Sequence, residues 1–308
     1  NALAPSDPRR DRFRHTITTA LGHLPDVVAM RATLRPLLDT RAASSAHHII
    51  ATGHAHIDTA WLWPIREAVR KCTRTFASAV RLMDEYPEYR FSCSQAQQYA
   101  WIEELHPELF EKISTKVDDG QWIPVGGMWV EADMNLPSGE SLARQIVHGQ
   151  RWFESRFGQR CTEVWIPDVF GYPASMPQLY AAGGMRRFVT QKLSWNTTNR
   201  FPHHTFWWEG LDGTRVLTHF PPVDTYNAEI TPGECVQSVE RFSDAAWSNW
   251  SLMPFGHGDG GGGPTREMLE RRRRLADIDG APNVSIGSPA EFFEHIEREA
   301  FEGAPVPV

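Results

Sequence analysis

The sequence predicts an α/β domain on a mostly parallel sheet, with a polar helical extension in front of it. Two observations carry this expectation. Short β-branched runs alternate with longer stretches of helical periodicity from about residue 46 onward. Residues able to do chemistry stand just behind several apolar runs, where parallel α/β folds gather their functional groups.

Residues 1–45 are polar, with apolar side chains at helical spacing from Ile17 to Leu38, and form the extension. "HHIIATGHAHI" then reads as a strand, and "IREAVRKCTRTFASAVRLMDEYP" as a long helix ended by proline. "YRFSCS" is a strand, residues 95–117 are helical, and "WIPVGGMWVEA" is strand-like. "SGESLARQIVHGQRWFESRFG" opens on a serine cap and closes on glycine, as a helix does. "CTEVWIPD" is a strand and "SMPQLYAAGG" a short helix. Further strands are expected in "RRFVTQK", "FWWEG", "RVLTHFP" and "WSLMPFG", and helices in "TREMLERRRRLADI" and "SPAEFFEHIEREA". The expected organisation is an extension over 1–45, an α/β domain over 46–297, and the start of a link over 298–308.

Composition narrows the function classes. The 308 residues carry a net charge of −7, so the basic excess that neutralises phosphates is missing and nucleic acid is not an expected partner. The run Arg271–Arg274 is most simply a solvated helix face. No apolar run approaches the roughly 18 residues of a membrane helix, so no membrane partner is expected. Cys72, Cys93, Cys161 and Cys235 are far apart without a C-x-x-C pattern, which argues against a disulfide framework and fits a reducing, cytoplasmic setting. No signal peptide is read at the start, and the sequons at Asn196, Asn249 and Asn283 are short enough to arise by chance. The first residue is not Met, and the expectation is of a piece of a longer protein. Twelve tryptophans are many for this length; most belong to the core, but indoles also suit sugar clefts because a flat apolar ring matches a pyranose C–H face.

Three strand ends carry carboxylates. In "GHAHIDTAWLWP", His54, His56 and Asp58 alternate, so in an extended chain they share one face. Imidazole and carboxylate on one face make half a site for zinc or a similar ion; the blander reading is a pair of hydrogen-bonded strand-end histidines. In "VWIPDVFGYPASMPQL", Asp168 ends an apolar strand. It would be a mere helix cap if the next helix began there, but that helix is expected near Ser175, which frees Asp168 to be a ligand, a nucleophile or both. In "SLMPFGHGDGGGGPT", Asp259 stands before four glycines. A linker is a poor reading between an apolar strand and a charged helix. A dinucleotide loop is poorer, since Asp259 would repel a pyrophosphate. A glycine floor that admits a ligand close to the backbone is the better one. Two such aspartates beside a cleft are the machinery of glycosidases.

Five stretches, "HAHIDTAWLWP", "GGMWVEADMNLPSGESLARQ", "WIPDVFGYPASMPQL", "THFPPVDTYN" and "FGHGDGGGGPTREML", together resemble glycoside hydrolase family 38, the α-mannosidases, most closely the cytosolic and bacterial type. The resemblance implies a retaining, exo-acting α-mannosidase on a seven-stranded parallel barrel-like α/β domain. It implies one divalent metal, zinc before cobalt, held by His56, Asp58 and Asp168. It implies Asp168 as nucleophile, Asp259 as general acid/base, and Trp61, Phe170 and Tyr226 as sugar contacts. His54 is then expected to support the ligands from behind. The pKa of Asp259 is expected to rise through burial and the neighbouring carboxylate. One oxygen of Asp168 is expected to be free for attack.

The family has a further histidine ligand downstream of the last matching motif, with no counterpart before Val308; neither His257 nor His54 occupies its place. The family's helical and β-sandwich regions are likewise expected elsewhere, and assembly into a homo-oligomer would run through them. The expected partner is an α-mannoside oligosaccharide. A second class stays open on the residues alone: a metal-dependent deacetylase or amidohydrolase would use metal-bound water with Asp168 as base. A third, a non-catalytic sugar-binding domain, would need the aromatics but not both carboxylates. Glu131, Asp133 and Asn135 alternate and are held as wall residues, and Lys192 and Trp195 as side chains able to touch substrate.

Overall fold

The computed structural model describes residues 6–308. The first five residues of the expected extension lie outside the described residues. The rest of it forms α1 (Arg9–Leu21) and α2 (Val27–Leu38), the second capped by Asp26, which accepts from the backbone N–H groups of Val28 and Ala29. Strand β1 (His48–Gly53) is buried over five of its six residues. Helix α3 (Ile65–Glu85) buries Cys72, Phe76, Ala79, Val80 and Met83, the 3.6-residue stripe legible in its sequence.

Strand β2 (Phe91–Cys93) leads to α4 (Ala96–Leu105) and α5 (Pro107–Asp118). The single helix expected over 95–117 is thus two. Proline at 107 offers no N–H and pushes its predecessor out of helical geometry, and His106 sits at φ −142°, ψ 60°. Strand β3 (Trp122–Pro124) stops well short of the expected residue 132, because Gly126 and Gly127 turn the chain at φ +87° and +64°. Helix α6 (Gly139–Phe157) begins at Ser138 and ends at Gly158 in left-handed geometry, as expected.

The second half contains β4 (Glu163–Trp165), α7 (Met176–Ala182), β5 (Arg187–Val189), β6 (Thr205–Glu209) and β7 (Arg215–His219). Then come α8 (Pro232–Arg241), β8 (Trp250–Phe255), α9 (Arg266–Leu275), β9 (Asn283–Ile286) and α10 (Pro289–Phe301). Residues 298–308, expected to open a link, complete α10 and pack back. The Pro307 carbonyl accepts from the Trp207 N–H at 2.7 Å, and Val306 joins a core cluster.

Among the described residues nine strands form two sheets, where a single seven-stranded barrel was expected. The first runs β3-β2-β1-β8, with β9 beside β1; every pairing in it is parallel. One edge of β1 serves two partners in turn: His48–Ala51 pair with β9, and Gly53 pairs with Phe91 of β2. The second sheet runs β4-β5-β7-β6, with β6 antiparallel to β7 across a tight connection. The ladder is interrupted between β3 and β4, where one hydrogen bond from Gly126 N–H to the Glu163 carbonyl (2.9 Å) crosses. The two sheets still share an apolar interior. Ile50, Val125, Trp165, Val189, Leu217 and Leu252 meet Phe292, Phe293 and Ile296 of α10 there. Separate cores pack α3, α4 and α5 on the first sheet and α6 and α7 on the second. Among the described residues, no helix is long and apolar enough to cross a membrane.

After β8 the glycine-rich stretch is a closed turn. His257 and Gly263 exchange two backbone hydrogen bonds (3.0 and 2.8 Å), and Gly260, Gly262 and Gly263 all have positive φ. The glycines serve this backbone path. Gly256 has φ +132°, and a Cβ there would stand 2.3 Å from the His54 carbonyl oxygen. Gly256→Ala is therefore expected to destabilise the protein by about 2–4 kcal/mol, read as a drop in the urea midpoint at unchanged slope.

Candidate active site

Parallel strand ends supply the site. Beyond β1 the chain stays extended, and alternation brings His56 and Asp58 together: His56 Nε2 lies 3.3 Å from Asp58 Oδ1. His54 behaves differently. Its Nδ1 donates to the Ser92 carbonyl at 2.9 Å, and its Nε2 accepts from the Trp165 indole N–H at 3.3 Å. Both ring nitrogens are used, and burial pushes its pKa down to about 3. His54 thus ties β1 to β2 and β4 as a neutral imidazole and hydrogen-bonds to none of His56, Asp58 or Asp168. The expectation that it backs the ligands is corrected on that geometry.

Asp168 follows β4. Its Oδ2 is 3.3 Å from His56 Nε2, and its Oδ1 contacts the Lys192 ammonium. Burial works to raise its pKa, but hydrogen bonds from His56, Lys192 and Tyr226 outweigh that and hold the carboxyl down at about 2. The oxygen expected to be free for attack therefore carries Lys192. Tyr226, after β7, is buried, with its ring 5.1 Å from that of His56. Burial and the nearby Asp168 raise its hydroxyl pKa, so it donates as a neutral phenol.

Asp259 comes in from the turn after β8. It is exposed, at φ +54°, with Asn227 Nδ2 3.5 Å from its Oδ2. The burial invoked for it from sequence is not found, because the turn holds it at the rim. It nonetheless belongs to the cluster: ligand-type atoms of His56, Asp168 and Asp259 all lie within 4.8 Å of one another. His257, in the same turn, is exposed.

Among the described residues, the ligand-type groups whose atoms all lie within 4.8 Å of one another are His56, Asp168 and Asp259; the expected ligand Asp58 stands at donor spacing from His56 but outside that group. Around a tetrahedral centre with bonds of about 2.0–2.1 Å, neighbouring donors stand about 3.3–3.4 Å apart. His56 Nε2 lies 3.3 Å from Asp58 Oδ1 and 3.3 Å from Asp168 Oδ2. Burial alone would lower the pKa of His56, but Glu131, Asp168 and Asp58 outweigh it and raise the value well above the ordinary one. Three carboxylates around one imidazole form a strongly cation-seeking site.

The aromatics are arranged unequally. Trp61 is 61% exposed and meets Trp63 edge-on at 5.0 Å in the loop after Asp58. Phe170 is 73% exposed, and with Trp195 it brackets the Lys192 ammonium, at 4.2 and 3.3 Å from the two ring centroids. Asp133 turns away to accept from the N–H groups of Asn135 and Leu136 (2.8 Å each), while Glu131 reaches His56 and the Asn135 amide lies against Gly171 in the loop after Asp168. Sequence reasoning did not give Glu131 or Lys192 their contacts, although "WVEAD" and "TQKLSW" both sit just past strands.

The profile described as the glycosyl hydrolases family 38 N-terminal domain matches residues 46–307. The chain belongs to this family. The family 38 chain is 52% identical over 256 residues to alpha-mannosidase 2C1 of Homo sapiens, an alignment covering 83% of this chain and 25% of that protein. It is 45% identical over 267 residues to the alpha-mannosidase of Saccharomyces cerevisiae, covering 84% and 25%. The family 38 chain thus spans about a quarter of the length of these relatives. In fold it is similar to the alpha-mannosidase of Enterococcus faecalis V583, with a TM-score of 0.67 at 17% identity over 84% of this chain and 30% of that one. That likeness shows a shared α/β architecture.

Proposed function

We propose that this chain is the N-terminal catalytic domain of a retaining exo-α-mannosidase that removes terminal α-linked mannose with the help of one divalent metal, zinc before cobalt. The observation that carries the reading is His56 Nε2 at 3.3 Å from both Asp58 and Asp168, with Asp259 within 4.8 Å of His56 and Asp168. Relatives named alpha-mannosidases at 45–52% identity support the substrate class. The alignment covers about a quarter of those proteins, so the activity is proposed for a longer chain of which this domain is the chemical part.

His56, Asp58 and Asp168 would hold the cation. When bound, it supplies positive charge for the vicinal hydroxyls of mannose, whose axial 2-hydroxyl otherwise hinders attack on the anomeric carbon. Asp168, kept ionised by its hydrogen bonds, is suited to attack that carbon. The C1–O bond to the leaving group breaks, and Asp259 gives its proton to the departing oxygen. Asp259 then takes a proton from water, the water oxygen bonds to C1, and the mannosyl–Asp168 ester is cleaved with net retention. Retaining carboxyl pairs are separated by about 5–5.5 Å and inverting pairs by more than about 6.5 Å. An oxygen of Asp168 and one of Asp259 lie within 4.8 Å of each other, which is compatible with the retaining separation. Tyr226 and Lys192 orient the nucleophile, and Trp61 and Phe170 offer apolar faces to the sugar ring.

The test is hydrolysis of α-1,2-, α-1,3- and α-1,6-linked mannobioses by the full-length protein, with and without a chelator. Cleavage of at least one, abolished by chelation and restored by zinc, is the expected result. Deacetylation of a polysaccharide with no mannoside cleavage would overturn the reading in favour of metal-bound water.

A further inference from the structure

Glu131 is the one carboxylate of the cluster that the mechanism leaves without a role. We infer that Glu131 is a positioning residue that holds the His56 ring with Nε2 turned to the metal; this rests on the metal reading above. The two ring nitrogens face different carboxylates. Nε2 looks toward Asp58 and Asp168, while Nδ1 lies 3.0 Å from Glu131 Oε2. In metal sites a carboxylate on the far nitrogen fixes the tautomer and strengthens the imidazole as a ligand. Nδ1 and Oε2 are both buried, and their alignment is too oblique for a hydrogen bond, so neither has a hydrogen-bond partner.

Glu131 is itself braced. Its side chain is 5% exposed, and Ser94 Oγ donates to its Oε1 at 2.5 Å. Its backbone N–H donates to Gln95 Oε1 at 3.2 Å. Gln95 is held at φ +66°, a conformation unfavourable without glycine, and its side chain also receives Thr59 Oγ1 (2.7 Å) and donates to the Ile57 carbonyl (3.0 Å). The end of β2 therefore steadies both Glu131 and the 57–59 segment that carries Asp58. With one oxygen on Ser94 and the other on His56, Glu131 offers none to the sugar, which separates it from Asp168 and Asp259. Simple packing is the competing explanation, but a buried carboxylate is a costly filler unless its charge is used. Among the described residues, His56 is its ion-pair partner.

The experiment measures zinc affinity of the full-length protein by competition with a chromophoric chelator, for the wild type, Glu131→Gln and Ser94→Ala. Glu131→Gln keeps the shape and removes the charge. It is expected to weaken zinc binding by about 10–100-fold, and activity lost at limiting zinc returns at saturating zinc. The visible spectrum of the cobalt form is expected to shift as well. Ser94→Ala, which leaves the carboxylate but frees it to turn, is expected to weaken binding by less. Zinc affinity of folded Glu131→Gln within twofold of wild type overturns the inference. If Glu131→Gln does not fold, unchanged affinity in Ser94→Ala overturns it. A wild type that binds no zinc overturns the metal reading itself, a failure distinct from a wild type and Glu131→Gln that bind equally well.

Discussion

Asp168→Ala in the full-length protein is expected to lower kcat on an α-mannoside by at least about 10⁴-fold, because the covalent step then has no nucleophile. The fold should survive. Asp168 lies past the end of β4, outside the three core clusters, and the change releases a carboxylate held among His56, Lys192 and Tyr226. The variant leaves the buried Lys192 ammonium without its carboxylate, so the expected pattern is a folded protein with a lowered melting temperature, hydrolysis lost and metal binding weakened. Asp259→Ala should differ in kind. A substrate with an activated leaving group needs little protonation, so its first step should be slowed far less than that of a natural disaccharide.

The second large effect is metal removal. Chelation is expected to abolish hydrolysis, by at least about 10³-fold, with recovery on adding zinc. It should also depend on pH in a defined sense. The raised pKa of His56 means that the metal-free site holds a proton at neutral pH, which the ion must displace. Apparent zinc affinity therefore falls as pH falls, by up to about tenfold per unit, and the dependence flattens only above the pKa of His56. Zinc affinity measured against a chelator, with the chelator's own protonation corrected for at each pH, should be weaker at pH 5.5 than at pH 7.5. Calorimetry at pH 7 in buffers of different ionisation enthalpy should report about one proton released per ion bound.

Much of this was legible because it is local. The apolar stripe of α3, the serine cap and glycine end of α6, and the apolar runs of β1 and β8 each declare themselves within one segment. His56 and Asp58 were legible because alternation in an extended chain is a geometric rule, and Asp168 because it ends a strand. What was missed is either weakly marked or non-local. Helix α8 carries a full capping box between Thr231 and Glu234, but the mixed run behind it hides its apolar face. Strand β9 is four residues long and exists because β1 offers a free edge. Glycine turns at 126 and 127 outweighed the strand propensity of "MWVEA", and that loop is what carries Glu131 behind His56. The exposure of Asp259 follows from a turn closed by glycines whose φ values no periodicity announces.

The most direct test of the central claim is covalent trapping of the full-length protein with a fluorinated mannosyl donor, followed by peptide mass spectrometry. The account predicts one mannosyl adduct per chain, on the peptide that contains Asp168 and at that residue, absent from Asp168→Ala. Turnover of mannosides with no adduct, or an adduct on Asp259, would contradict it.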